Sequence, residues 1–375
     1  MIKMFKKLFF GVAYRTDKTQ AAYSLFYQQC SRTACLTMLI MNLLSLAYSP
    51  FAQANALSPS DKQNVSIKPV ILHHLGGSNF DQSFGQAIAM GAEKFKKEFG
   101  IPVRDFEPQN DAQLEQAVQK FIREGYSPII AAGFTYETII NKMAPKAPNT
   151  KFVIVDTRVQ HPNVQSLMFK DEEGSFLVGL LAAQASKTGI IGFIGGMDTP
   201  FIRRFSCGYR QGARYANQQI HVIENMIGST PSAWNDPVKG TELARNQMDQ
   251  GADVIYHAAG ASGAGVLRAV ADAKRLGIGI DTNQNGLFPG HVLTSMLKRL
   301  DTATYTTLRA AHQGTWEGGV LELGVKDNGV DWAFDDNNAS LITPFMKASA
   351  EEAASKIRSG ELKVHNFLSS NACPS

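Results

Sequence analysis

The chain has 375 residues, 44% hydrophobic and 19% charged, an ordinary globular composition whose length suits about two domains. The formal net charge is +4, but the first 54 residues carry six basic residues and one acidic. Taking those away leaves 31 basic and 32 acidic residues, a net charge of −1, which excludes a global basic bias towards nucleic acid.

Residues 1–54 read as a signal peptide. A charged segment (Lys3, Lys6, Lys7, Arg15, Lys18, Arg32) leads into the apolar run "ACLTMLIMNLLSLAYSPFAQA", with a small-x-small cleavage site at Ala52-Gln53-Ala54. Asn42, Ser45, Ser49 and Pro50 interrupt the run, which makes it a poor membrane span. An uncleaved N-terminal anchor is the alternative. No cysteine follows the run directly, so no lipid-anchored cysteine is expected, and the mature chain is expected to be soluble and periplasmic. Cys207 and Cys373 remain after cleavage; a disulfide between them and two separate thiols both fit.

From Ser66 onward, short apolar runs alternate with longer segments of helical period. "IKPVILHH" reads as a strand. "QAIAMGAEKFKKEFG" places apolar or small residues at 88, 91/92, 95 and 99, a helical stripe ending at Gly100. "IPVRDFE" is a strand, and "DAQLEQAVQKFIREG" a helix with Asp111 as its expected N-cap. Strand "PIIAAG", helix "YETIINKMAP" and strand "KFVIVD" follow, then a helix, "DEEGSFLVGLLAAQASKTG", with acids in its first turn. The alternation repeats: strand "IIGFIGG", helix "RRFSCGYRQGARYANQ", strand "HVIENMIG", helix "PVKGTELARNQMDQG", strand "ADVIYHAA", helix "GAGVLRAVADAKRLG", strand "IGIDT". After "VLTSML", helices over 301–315 and 350–359 complete the chain. Two βαβαβ halves with parallel sheets follow from this pattern, an α/β fold of two Rossmann-like lobes facing a cleft. The expected lobes are 66–172 with 296–320, and 173–295 with 321–375.

The loops at the strand ends carry the candidate chemistry. None of "LGGSN", "IGGMD" and "AAGASGAG" has the lysine and hydroxyl of a phosphate-binding loop. The "GASGAG" stretch at 260–265 opens a helix, but its glycine order is not that of a dinucleotide fingerprint. His73 and His74 are adjacent, so on a strand they point to opposite faces and cannot share one ion. They are expected to be satisfied or solvent-facing. No H-E-x-x-H, C-x-x-C or G-x-S-x-G occurs, and neither metal nor cofactor is expected. What recurs is acid and aromatic residues near strand ends: Asp81, Asp156, Asp236 and Asp281, with Phe80, Phe84, Phe201 and Trp234. Carboxylates suit vicinal hydroxyls and rings offer stacking faces, a set favouring a neutral sugar-bearing aromatic. Helix capping and core packing are the competing uses of those residue types.

"DQSFGQAIAMGAEK", "FKDEEGSFLVGLLAAQASKTGIIGFIGGMDTPFIRRFSCGYRQG", "GSTPSAWNDPVKGTELARNQMDQGADVIYHAAGASGAGV", "IDTNQ" and "VLTSMLKRLD" together resemble the basic membrane protein, or PnrA-like, family of ABC-transporter substrate-binding proteins. The likeness runs from about Ile67 to the C-terminus. It implies a type I periplasmic binding protein fold, two lobes joined by a multi-strand hinge, and a purine nucleoside or, in some members, riboflavin as ligand. It also implies an inner-membrane permease and ATPase complex as partner, with no nucleic acid. The resemblance puts Asp81 and Phe84, in the D-x-S-F segment, against base and ring, with Asn79 in the same loop. It puts Trp234 on the opposite face of the ring, Asp156 and Asp281 on sugar or base, Lys298 on the ribose and Gly260 beneath the ligand; Phe201 is a candidate ring face from the residue pattern alone. Gly85 stands where the family has Asn, and Trp234 where it has Phe. The expected function is capture of a nucleoside and its delivery to an importer. A nucleoside-processing enzyme using the same acids and a ligand-sensing receptor are the alternatives.

Overall fold

The computed structural model describes residues 64–374. The first sheet contains β1 (Val70–Leu72), β2 (Arg104–Phe106), β3 (Ile129–Ala131), β4 (Phe152–Val155), β5 (Val164–Phe169) and β11 (Gly319–Leu323). Its order is β11-β5-β4-β3-β1-β2, parallel throughout. The second contains β6 (Ile190–Met197), β7 (His221–Gly228), β8 (Val254–Ala258), β9 (Leu276–Asp281), β10 (Val292–Lys298) and β12 (Val330–Trp332), ordered β12-β10-β9-β8-β6-β7. Only β12 is antiparallel to its neighbour. Both sheets are covered on two faces, which is why β1, β3, β4 and β8 are buried from end to end.

On the first sheet, α1 (Phe84–Phe99) packs with α8 (Leu300–His312), and α2 (Asp111–Arg123) with α3 (Glu137–Met143). On the second, α4 (Asp171–Ala185) packs with α5 (Pro200–Ala216) and α9 (Pro344–Ser359), and α6 (Pro237–Asp249) with α7 (Gly263–Asp272). The chain passes between lobes three times: at 169–171, at 298–300 and at 323–330. This is the type I periplasmic binding protein architecture, and these three connections form its hinge.

Several boundaries differ from expectation. The break at 295/296 falls inside β10, all of which belongs to the second sheet, and the break at 320/321 falls inside β11, all of which belongs to the first. α4 begins at Asp171 and packs on the second lobe, so the 172/173 break lies within its first turn. β5, β11 and β12 were not foreseen: "VQSLMF" interleaves polar residues, β11 is a largely exposed edge, and β12 has three residues. α1 begins at Phe84, and α9 at Pro344 with Thr343 as its cap. The cap of α2 is Asn110, whose side chain accepts from the Gln113 amide, while Asp111 is the first helical residue. Cys207 on α5 is disulfide-bonded to Cys373 in the C-terminal tail. The expected signal peptide lies outside the described residues.

Candidate functional site

In a doubly wound sheet, the strands on either side of the order reversal open a crevice at their carboxyl ends. Here that crevice lies between β1 and β3 in the first lobe and between β6 and β8 in the second. The two crevices face each other across one cavity, with about 590 Å³ of space not filled by protein atoms. That space includes open solvent at the mouth of the cavity.

Phe84, Asp156, Phe201, Trp234, Gly260, Asp281 and Lys298 all line this cavity. Phe84 and Asp156 come from the first lobe; the other five come from the second. Phe84 opens α1, and Phe201 sits in the first turn of α5, where Thr199 caps the helix through the Ile202 amide at 3.3 Å. Asp156 and Asp281 occupy equivalent places, each at the carboxyl end of a central strand. Both adopt left-handed backbone conformations, with φ of 67° and 63°. Non-glycine residues pay a steric cost there, and such strain gathers at ligand-binding positions.

Lys298 is 1% exposed. Its ammonium donates to both Asp156 oxygens at 2.7 and 2.8 Å and lies 3.3 Å from Asp171. The rings of Phe84, Phe169, Phe201 and Phe205 surround it, with centroids 5.1–5.7 Å from Nζ. Burial pushes its pKa down, but Asp156, Asp171 and Asp281 outweigh that and hold it above its ordinary value. Arg204 is committed behind it, to Asp171 and, at 3.7 Å, to Glu172. Burial pushes Asp281 up to about 7, against the opposing pull of Lys298 and of the Ser83 hydroxyl that donates to it. Burial likewise raises Glu172 to about 7.

Asn79 and Asp81 do not line the cavity. Asp81 turns back to accept the amides of Ser83 and Gly85 at 2.8 Å and of Gln86 at 3.0 Å, so it anchors the start of α1. Asp236 does the same for α6, accepting from Lys239. Phe80, once a candidate stacking ring, is 85% exposed. At Gly85 a side chain would bring Cβ within 2.2 Å of the Ser78 carbonyl oxygen, so the preceding loop occupies the space an amide would need. Sequence reasoning passed over Phe134, Thr135 and Phe205, and expected His74 to be satisfied or solvent-facing; all four are in the wall. The two histidines have separate roles. His73 is buried with Nε2 3.2 Å from Asp105, whereas His74 faces the cavity.

A two-lobed cavity at the switch points of paired parallel sheets, with its cations committed to internal ion pairs, defines a solute-binding protein. A family model described as ABC transporter substrate-binding protein, PnrA-like, matches residues 69–366, and the chain belongs to that family. Its members are binding proteins of ABC transporters and not enzymes, so the cavity has a small molecule to hold and a transporter to supply. An uncharacterized lipoprotein, PH1714, of Pyrococcus horikoshii is 32% identical over 301 residues, covering 77% of this chain and 74% of its own. Basic membrane protein D of Borreliella burgdorferi is 31% identical over 321 residues, covering 82% and 91%. Among solved structures, an ABC transporter solute-binding protein from Aeropyrum pernix superposes with a TM-score of 0.74 at 28% identity, covering 80% of this chain and 93% of its own. The names lipoprotein and basic membrane protein denote attachment to a membrane. They overturn the expectation of a soluble periplasmic protein drawn from the missing lipid-attachment cysteine.

Proposed function

We propose that this protein captures a purine nucleoside in the cavity between its lobes and delivers it to an ABC importer. The observation that carries this reading is the pairing of ring faces with buried carboxylates and, among the described residues, no uncommitted cation in the wall. Phe84 and Trp234, from opposite lobes, offer flat surfaces for a base. Asp156 and Asp281 offer acceptor oxygens for ribose hydroxyls. Lys298 is bound to Asp156, and Arg204 to Asp171, so neither is free to neutralise a phosphate. A nucleotide would bring negative charge to a desolvated site that already holds several carboxylates. These features favour an uncharged nucleoside over its phosphates.

The test is a thermal-shift panel on the purified protein, using nucleosides, free bases, nucleoside monophosphates and riboflavin. Binding to the folded state raises the midpoint by an amount set by RT ln(1 + [L]/Kd). The expected result is a saturable rise with at least one purine nucleoside and none with its monophosphate at equal concentration. A rise with riboflavin alone would replace the nucleoside reading.

A further inference from the structure

His74 is the one imidazole in the cavity wall among the described residues. It follows β1 at the first lobe's switch point, with ring centroids 5.7 Å from Phe84 and 6.0 Å from Trp234. Any ring held between those two aromatics therefore has an edge near His74. The imidazole is oriented by its own backbone: Nδ1 lies 2.9 Å from the Leu75 carbonyl oxygen. A carbonyl can only accept, so Nδ1 carries the proton and Nε2 keeps a bare lone pair. Burial lowers the pKa of the ring, against the pull of the Leu75 carbonyl and Asp81, and so favours its neutral form. Among the described residues Nε2 has no hydrogen-bond partner. A Cβ at Gly77 would stand 2.7 Å from Nε2, so glycine there leaves the ring its room.

We propose that His74 determines ligand specificity, with Nε2 accepting a hydrogen bond from an N–H or amino group on the edge of the bound heterocycle. The inference deepens the nucleoside reading and rests on it. It narrows the ligand to bases with a donor on that edge, such as a 6-aminopurine or a 6-oxopurine with N1–H. A base with a methyl group in place of the donor would leave Nε2 buried and unpaired, the situation that gives polar sites their strongest discrimination.

The experiment is isothermal titration with two matched pairs: adenosine with N6,N6-dimethyladenosine, and inosine with 1-methylinosine. Wild type is expected to bind one parent nucleoside roughly tenfold or more tightly than its methylated partner, the effect of about one lost hydrogen bond. In His74→Ala that ratio should fall to about threefold or less, while His74→Gln, which retains an acceptor oxygen, should restore part of it. If wild type binds no nucleoside, both the nucleoside reading and this proposal fail. If it binds and discriminates but His74→Ala keeps the same ratio, only the role of His74 fails. Imidazole nitrogen NMR on wild type gives a second readout that does not depend on the variants folding. Nε2 should show an unprotonated resonance that moves on adding the parent nucleoside, and an unmoved resonance with the parent bound overturns the proposal.

Discussion

Lys298 and Asp156 form the contact on which the site depends most, because each is buried and each is the other's principal counter-charge. Removing one partner of a buried pair typically costs about 3–5 kcal/mol, and the low end applies here because Asp171 stays 3.3 Å from the Lys298 ammonium. Asp156→Asn is therefore expected to lower unfolding free energy by about 3 kcal/mol in urea titrations, and to weaken ligand binding as well. An Asp156→Asn protein with unchanged stability and affinity would remove the pair from both roles. Asp281 makes a prediction in pH. Its folded pKa is raised to about 7 from an ordinary 3.8, so the neutral carboxyl binds a proton the unfolded chain releases. Its contribution to stability is fully present below pH 3.8 and is lost as pH rises through about 7. His257 acts in the opposite sense: its pKa is lowered to about 4, so its contribution is lost as pH falls. The informative quantity is thus the difference between wild type and Asp281→Asn, which should decline from pH 4 to pH 7. A flat difference would contradict a raised Asp281.

At the level of elements, the start of α1 depends on Asp81 and Gly85 rather than on its N-cap residue, Ser83, whose side chain makes no capping bond. Asp81→Ala removes the acceptor of three amides and should cost about 1–2 kcal/mol, the range of a lost helix cap. Since Asp81 does not face the cavity, affinity should change far less than stability. A loss of binding at unchanged stability would return Asp81 to the ligand. The helices were legible because their apolar spacing is long and regular: Ile88, Ala92, Phe95 and Phe99 in α1 form one stripe. The buried central strands were legible as short apolar runs. β5 and β11 were not, because a strand with interleaved polar residues next to a helix, or one exposed at an edge, carries little hydrophobic signal. The site was legible to the same uneven degree. Asp156 and Asp281 stand out because each ends an apolar strand. In "DQSF", however, sequence shows that an acid lies near the ligand loop and not which way it points. His74 has no periodic neighbour to mark it, and Phe134 and Phe205 read as core until the two lobes are brought together.

At the scale of the whole molecule, the lobes touch through more than the cavity wall. Ser83 donates to Asp281, and the Gln82 carbonyl accepts from Thr282 and Gln284, both at 2.7 Å, so the first lobe's α1 loop is latched to the second lobe's strand ends. Those bonds lie between the lobes beside the cavity, so losing one is expected to ease opening about the three hinge connections. Gln284→Ala removes one latch bond and, with it, the glutamine's bond to the Ile280 amide. It should raise the ligand dissociation rate more than it lowers the association rate, as stopped-flow fluorescence from Trp234 would record. The opposite split would place the latch on the entry path instead. The C-terminal tail is held on α5 by Cys207–Cys373 and by Gln211 bonds to His365. The central claim is that the cavity holds a neutral purine nucleoside, and isothermal titration of the purified protein with adenosine, inosine and guanosine, each beside its 5′-monophosphate, tests it most directly. The account predicts one-to-one binding of at least one nucleoside, with its monophosphate at least a hundredfold weaker, roughly 3 kcal/mol. Equal affinity for nucleoside and monophosphate, or no heat with any of the six, would contradict it.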